Sequence, residues 1–238
     1  METAMILTDK QRQYCLNNLA FYAQHVVDEN GKLLKYELLS RLPSDATVKD
    51  LESFFGDLTP AESVDIAIKQ IHLSRQIYDK TGLSCAINVD NIVLVEDALK
   101  QRLIEACTKF DHPVILEFTE LRPMPPADEV NALFFTLKKN NITIALDDFG
   151  TGFNGMSIFA DYDFDIIKID RTLISGIQTR PQKLFILQHM LDLMDALNKQ
   201  HVVEGVESEA QFQQLRDIGF KVFQGYLFQR PCPVEEML

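Results

Sequence analysis

Short apolar runs recur along the chain, and most stop at a polar or charged residue. Leu33-Leu-Lys-Tyr36 leads to Glu37, Ser84-Cys-Ala-Ile87 to Asn88, and Val114-Ile-Leu116 to Glu117. Ile142-Thr-Ile-Ala-Leu146 leads to Asp147-Asp148, and Phe164-Asp-Ile-Ile167 to Lys168-Ile169-Asp170. Val202-Val203 stops at Glu204, and Lys221-Val-Phe223 at Gln224-Gly225. Runs this short and this rich in β-branched residues predict strands buried on both faces. Between most of them lie stretches with helical spacing, over 61–78, 128–139, 182–199 and 209–218. The stripe Leu184, Leu187, Leu191, Met194 fits a helix core rather than a cofactor site. Strands alternating with helices predict an α/β protein with a parallel sheet. Strands that all end in polar groups predict a (β/α)8 TIM-like barrel, whose site gathers at the carboxyl ends of its strands.

The length, 238 residues, suits one such barrel of roughly 250 residues. No linker, low-complexity tract or composition break divides the chain. We expect residues 1–18 to form a leading segment with a short helix and 19–238 to form the barrel. The net charge of −12 argues against binding a nucleic acid polymer or an anionic membrane surface. An anionic substrate would need bound metals to reverse the local sign. No apolar run reaches the roughly 18 residues of a membrane span. Met1-Glu-Thr-Ala-Met-Ile-Leu7 lacks the basic start of a signal peptide, which predicts a cytoplasmic protein. Cys15, Cys85, Cys107 and Cys232 show no metal-ligand spacing and are expected to be reduced.

Candidate chemistry centres on Asp147-Asp148. Two adjacent carboxylates are costly to bring together unless something positive lies between them, and a divalent metal is the usual partner. Gly150-Thr-Gly152 beyond them allows a sharp, mobile turn. A lone acid after a strand is ordinarily a solvated turn residue or a helix cap. Here one rim would also collect Lys168 and Asp170, which favours a site. Two bland readings stay open: Lys168 as a structural ion-pair partner and Glu207 as part of a helix cap beside Ser208. The five histidines avoid the strand ends, although His25 lies beside Gln24. Nothing resembles a zinc site. Asp, Glu and Asn are the oxygen donors that hard Mg²⁺ or Mn²⁺ prefers.

Five segments in register carry a family resemblance. They are Glu117-Phe-Thr-Glu120, Leu146-Asp-Asp-Phe-Gly-Thr-Gly152, Ile167-Lys-Ile-Asp170, Glu204-Gly-Val-Glu207 and Gln224-Gly-Tyr-Leu-Phe228. Their order and spacing resemble the EAL domain, the bacterial cyclic di-GMP phosphodiesterase fold, over about residues 19–236. The signature Glu-Ala-Leu reads Glu37-Leu38-Leu39, with Arg41 in the expected place. The resemblance implies that Glu37, Asn88, Glu117, Asp147, Asp148 and Asp170 belong to a site for two Mg²⁺ or Mn²⁺ ions. It implies that Lys168 orients the attacking water, that Glu204 is a ligand or general base near it, and that Glu120 braces the loop after Asp148. Gln24 and Arg41 would contact the nucleotide, and Glu207 and Gln224 would hold water or substrate. It also implies one antiparallel strand, for which the hairpin signal Asn30-Gly31 is suited.

Four departures from the family pattern stand out. They are Leu38, Asn88-Val89-Asp90, Asn154-Gly155 in the mobile loop, and Phe54-Phe-Gly-Asp-Leu-Thr-Pro60 ahead of Ser63. The last bears on substrate contacts rather than on metal ligands. The resemblance therefore implies hydrolysis of cyclic di-GMP to linear pGpG in second-messenger signalling. The rival is a catalytically silent receptor for cyclic di-GMP or a protein-binding regulator, since a fold does not settle a function. A homodimer through the elements after Asp148 and Asp170 is expected, and a regulatory protein partner is also compatible.

Overall fold

The structure, a computed structural model, describes residues 8–44, 46, 51–119, 123–151 and 155–238. Helix α1 (Asp9–Asn17) precedes strand β1 (Ala20–Asp28) and strand β2 (Leu33–Arg41). Then come α2 (Leu51–Gly56), α3 (Pro60–Thr81), β3 (Cys85–Val89), α4 (Asp97–Thr108), β4 (Val114–Thr119) and α5 (Ala127–Lys138). The second half runs β5 (Ile142–Phe149), α6 (Ile158–Asp161), β6 (Ile166–Ile169), α7 (Arg171–Ile174) and α8 (Pro181–Ala196). It continues with β7 (Gln200–Val203), α9 (Glu209–Ile218), β8 (Val222–Gln224) and the short β9 (Cys232–Pro233).

Strands β2 to β8 pair in parallel, in chain order. Strand β1 closes the circle antiparallel to both β2 and β8. The expected TIM-like barrel with one antiparallel strand is thus what forms. The reversal is made by the turn at Asp28-Glu-Asn-Gly31. Gly31 takes φ +78°, which an L side chain resists. Asp28 Oδ1 accepts from the amides of Asn30 (2.8 Å) and Lys32 (2.9 Å).

The helices start and stop on local chemistry. Thr59 caps α3 through a reciprocal hydrogen-bond pair with Glu62, Pro60 opens the helix, and Gly82 ends it in the left-handed conformation. Ser208 and Gln211 make the same reciprocal cap on α9. The apolar faces of these helices pack on the outward residues of the strands, such as Leu38, Ile87, Leu116 and Ile167, which are fully buried.

Inside the barrel the side chains form layers. Val26, Ala86, Ile115, Ala145, Ile166 and Val202 pack together, with Val222 against them. Seven strands supply this layer. Side chains alternate along a strand, so the residue two positions nearer the rim also faces inward. Those residues are Gln24, Asn88, Glu117, Asp147, Lys168, Glu204 and Gln224. Strand β2 adds Glu37 at the rim level and Lys35 below it, and Lys35 is paired in register with Val26.

The strands differ from expectation in one respect. They do not all end at their polar residues: β2 runs on to Arg41 because β1 pairs along its whole length. The hydrophobic pattern also leaves helix α4 unmarked, together with the four-residue helix α7 that Asp170 caps.

Two loops near the rim are held together by close backbone approach. The Val206 amide donates to Gln224 O, and the Leu227 amide donates to Val206 O, each at 3.0 Å. A Cβ on Gly225 would overlap the backbone of Val206. Gly225→Ala is therefore expected to cost about 1–3 kcal/mol. Thermal denaturation should show a midpoint several degrees lower, at roughly 2–4 °C per kcal/mol for a chain of this size. An unchanged midpoint would mean that these loops part easily.

Candidate active site

At the rim, the strand registers bring one lysine among four acids. Lys168 on β6 is 1% exposed. Its Nζ lies 2.9 Å from Glu117 Oε2, 2.8 Å from Asp147 Oδ1, 2.9 Å from Glu204 Oε1 and 3.4 Å from Glu37 Oε2. The approach to Glu117 is a hydrogen bond, whereas that to Asp147 is close but not aligned as one. Glu37 has two further donors, the amides of Asn88 and Gln224. Gln224 also donates to Gln24 Oε1, and Gln24 donates to Gln229 O, so Gln24 stands behind the acids in a chain of amides.

The electrostatics show a surplus of negative charge. Burial alone would lower the Lys168 ammonium, but Asp147, Glu117, Glu204 and Glu37 hold it well above its ordinary value. Burial would likewise raise Glu37, yet Lys168 and the donors Gln224 and Asn88 outweigh it and keep the carboxyl low. For the other acids one lysine is not enough. Burial, with repulsion from Glu37 and Asp147, pushes Glu117 up to about 8 against the pull of Lys168. Burial also raises Asp147 and Glu204. Asp148 is pushed up to about 7 by burial and by the charge on Asp147. Like charges this crowded cannot all ionise together, so protons are shared among these acids near neutral pH.

Strict alternation along β5 would send Asp147 and Asp148 to opposite faces. The β5–β6 register slips between Leu146 and Phe149, and Asp148 takes φ +57°. Asp is one of the few residues that tolerates this conformation. The irregularity brings both carboxylates to the mouth of the barrel. Two groups of acids result, each with oxygens within 4.8 Å of one another: Glu37, Glu117 and Asp147, and Asp147, Asp148 and Glu204. Asp147 belongs to both. Overlapping all-oxygen groups of this kind could hold two divalent cations, and the excess negative charge fits them.

The remaining candidates fall in different places. Asp170 is buried at the foot of α7, where its Oδ1 accepts from the Thr172 amide; its charge is felt at Asp148, but it joins neither acid group. Arg41 lines the cleft above Glu37 and donates to Ser40 O. Glu207 is exposed, and its amide bonds to Gln211 at the cap of α9, in keeping with the capping alternative. Glu120 and Asn154 lie outside the described residues.

The cleft in front of the acids has a volume of about 670 Å³. Its outer wall is Leu39, Phe55, Leu58 and Ile66, with Gln70 at its back. Phe55 and Leu58 belong to the 54–60 segment that the sequence ties to substrate contacts, whereas sequence reasoning missed Leu39, Ile66 and Gln70. Gln70 had left a signal, a polar residue on the apolar stripe of α3 beside Ala67 and Ile71. It donates to Leu38 O and Ser40 Oγ and so fixes the rim end of β2. Leu38 itself faces the helices, away from the acids.

Comparisons with known proteins agree with the geometry. The EAL domain family model matches residues 9–231. The chain is 33% identical over 160 residues to the cyclic di-GMP phosphodiesterase RocR of Pseudomonas aeruginosa, a match covering 66% of this chain and 41% of that protein. The chain thus spans well under half the length of this relative. An EAL domain protein from Listeria monocytogenes superposes with a TM-score of 0.85 at 25% identity, over 98% of this chain and 97% of that one. A standalone EAL protein from Vibrio cholerae, solved with c-di-GMP bound, superposes with a TM-score of 0.76 at 25% identity, over 90% and 92% of the two chains.

The raised acids make a pH prediction. Glu117 keeps a proton in the folded chain up to about 8 and Asp148 up to about 7, whereas their ordinary values are 4.5 and 3.8. Across those windows the folded state binds more protons than the unfolded one, so these two groups make stability fall as pH rises. A divalent cation at the site must displace those protons. The rise in thermal midpoint produced by a fixed Mn²⁺ concentration should therefore grow from pH 5 to pH 8. Scanning fluorimetry in chelator and in Mn²⁺ measures it, and a shift that is constant with pH would contradict it.

Proposed function

Because the chain belongs to the EAL domain family, we propose that it hydrolyses one phosphodiester of cyclic di-GMP to linear pGpG in bacterial second-messenger signalling. The observation that carries this reading is the pair of acid groups sharing Asp147, set around Lys168 at the mouth of an open cleft. The name of the Pseudomonas relative and the nucleotide bound by the Vibrio protein support the substrate. The full complement of acids favours an enzyme over a silent receptor.

In this reading Glu37, Asn88, Glu117, Asp147, Asp148 and Asp170 would hold two divalent cations, Mg²⁺ or Mn²⁺. When bound, such ions supply an activated water and neutralise charge on the phosphoryl group. The chain's own residues do the rest. Lys168 is held rigidly by its acid partners, so its ammonium can orient a water without moving. Glu204, whose carboxyl is raised by burial, is more basic than an ordinary carboxylate and suits the part of general base. Arg41 at the cleft wall suits a phosphate oxygen. Gln224 fixes the Glu37 carboxylate by a hydrogen bond and is itself held by Gln24. Glu120 is assigned to bracing the loop after Asp148, and Glu207 to an outlying role at the cap of α9. We place the protein in the cytoplasm as a homodimer through the elements that follow Asp148 and Asp170, open to a regulatory protein partner. No described helix is long and apolar enough to cross a membrane.

Purified protein with Mg²⁺ or Mn²⁺ should convert cyclic di-GMP to pGpG, resolved by chromatography. Asp147→Asn should abolish turnover and leave the barrel folded. Lys168→Ala and Glu204→Gln should retain nucleotide binding and lose hydrolysis by about two orders of magnitude or more, as expected of groups acting mainly in the transition state. Arg41→Ala should instead weaken binding. Wild-type protein that binds the nucleotide but yields no pGpG with any divalent metal would replace this reading with the receptor one.

A further inference from the structure

Helix α7 is too short to hold itself in place. The Ser175 amide donates to Arg171 O at 2.9 Å and closes its single turn. Asp170 caps the start by accepting from the Thr172 amide. The end of a helix leaves carbonyls without partners inside the helix. Here a side chain from the next helix takes two carbonyls at that end. The Lys183 ammonium donates to Thr172 O at 2.6 Å and to Ser175 O at 2.8 Å. Lys183 itself stands in the first turn of α8, where the helix dipole disfavours a cation. That turn holds no acid, and Arg180 at its N-cap makes no side-chain hydrogen bond. The lysine is thus badly placed for α8 and well placed for α7. A local rule broken in this way points to a role outside the element that carries the residue.

We propose that Lys183 is a positioning residue for hydrolysis, clamping α7 so that the segments carrying Asp148 and Glu204 keep their spacing. The inference rests on the phosphodiesterase reading of the site. The contacts run in sequence from the lysine to the acids. At its start α7 is tied to both segments by backbone bonds. The Asp170 amide donates to Phe149 O at 3.2 Å, and the Glu204 amide donates to Ile169 O at 3.0 Å. Along its length, Leu173 abuts the turn after Asp148 so closely that a Cβ on Gly150 would overlap it. Arg171 abuts the turn after Glu204 in the same way, at Gly205. At its far end Lys183 ties it down. With that end released, α7 can pivot about Asp170 and Leu173 can leave Gly150. The ammonium faces carbonyls, so its action on the two acids runs through α7.

Two measurements on the full chain test this, for wild type, Lys183→Met, Lys183→Gln and Lys183→Arg. One is amide hydrogen exchange read by mass spectrometry, without metal or nucleotide. The other is steady-state hydrolysis of cyclic di-GMP with Mn²⁺. Met and Gln remove the cation from the first turn of α8, so the thermal midpoint should hold. Both variants are expected to exchange faster over residues 148–151 and 204–206 as well as over 171–176. Their kcat should fall about threefold to tenfold with KM unchanged, as loss of alignment requires. Arg keeps a cation with several N–H donors and should restore both readouts. Faster exchange confined to 171–176, or an unchanged kcat, would overturn the proposal. Failure of both neutral variants to fold would also overturn it, by assigning Lys183 to stability. Wild-type protein that hydrolyses no cyclic di-GMP would instead overturn the reading on which the proposal stands, whatever the exchange shows.

Discussion

The ammonium of Lys168 is the point on which the rim depends. Glu37, Glu117, Asp147 and Glu204 arrive from four different strands and meet at one nitrogen. Taking each of these charges out of water costs several kcal/mol. Without a central cation their mutual repulsion would add to that cost. The lysine can occupy the centre only because β6 is registered against β7 through Lys168↔Val202 and against β5 through Ala145↔Ile166. Each neighbouring strand must then hold its acid at the matching height. Local strand pairing and the chemistry of the site are therefore one constraint. Even with the lysine in place, the acids outnumber it, and the protons held near neutral pH express the deficit.

Much of this was legible in the chain because strand alternation and chemistry coincide. An apolar residue two positions before a polar one recurs in Ala86/Asn88, Ile115/Glu117, Ala145/Asp147, Ile166/Lys168 and Val202/Glu204. Such pairs declare both an inward face and a rim. What could not be read were features set by tertiary contact. The slip between Leu146 and Phe149 leaves no mark in composition, yet it decides where Asp148 points. The strand signal of β2 fades at Glu37, since Leu38-Leu-Ser-Arg41 carries none of its own; pairing with β1 extends it. Helix α4 begins at Asp97 without a side-chain cap, so its start is quiet in sequence. Asp170 has the sequence position of a rim ligand and serves as the cap of a four-residue helix.

The segment from Phe54 to Pro60, the largest departure from the family pattern, has a clear structural role. Phe54 and Leu58 pack with Cys15, Leu16 and Ile66 in a small cluster outside the barrel. Arg12 on α1 reaches Glu62 through its Nε at 3.0 Å and also bonds to Asp57 O. The ion pair is only partly buried and worth little by itself. The apolar cluster is what anchors the outer wall of the cleft to α1, and Phe55 and Leu58 are thereby presented to whatever enters. No local pattern announces this partnership, because α1 lies far earlier in the chain, ahead of both strands of the hairpin.

Helix α7 carries a different consequence. It is only four residues long, and it is flanked in space by two glycines with left-handed backbone. A Cβ on Gly150 would strike Leu173, and a Cβ on Gly205 would strike Arg171. Gly150 follows Asp148 by two residues, and Gly205 follows Glu204 directly. The helix is thus wedged between the segments that carry two acids of one group. Packed interiors transmit displacement rather than absorb it. Asp148 and Glu204 belong to separate strands but to one mechanical part, and a force that shifts the wedge would be delivered to both sides of the same oxygen cluster.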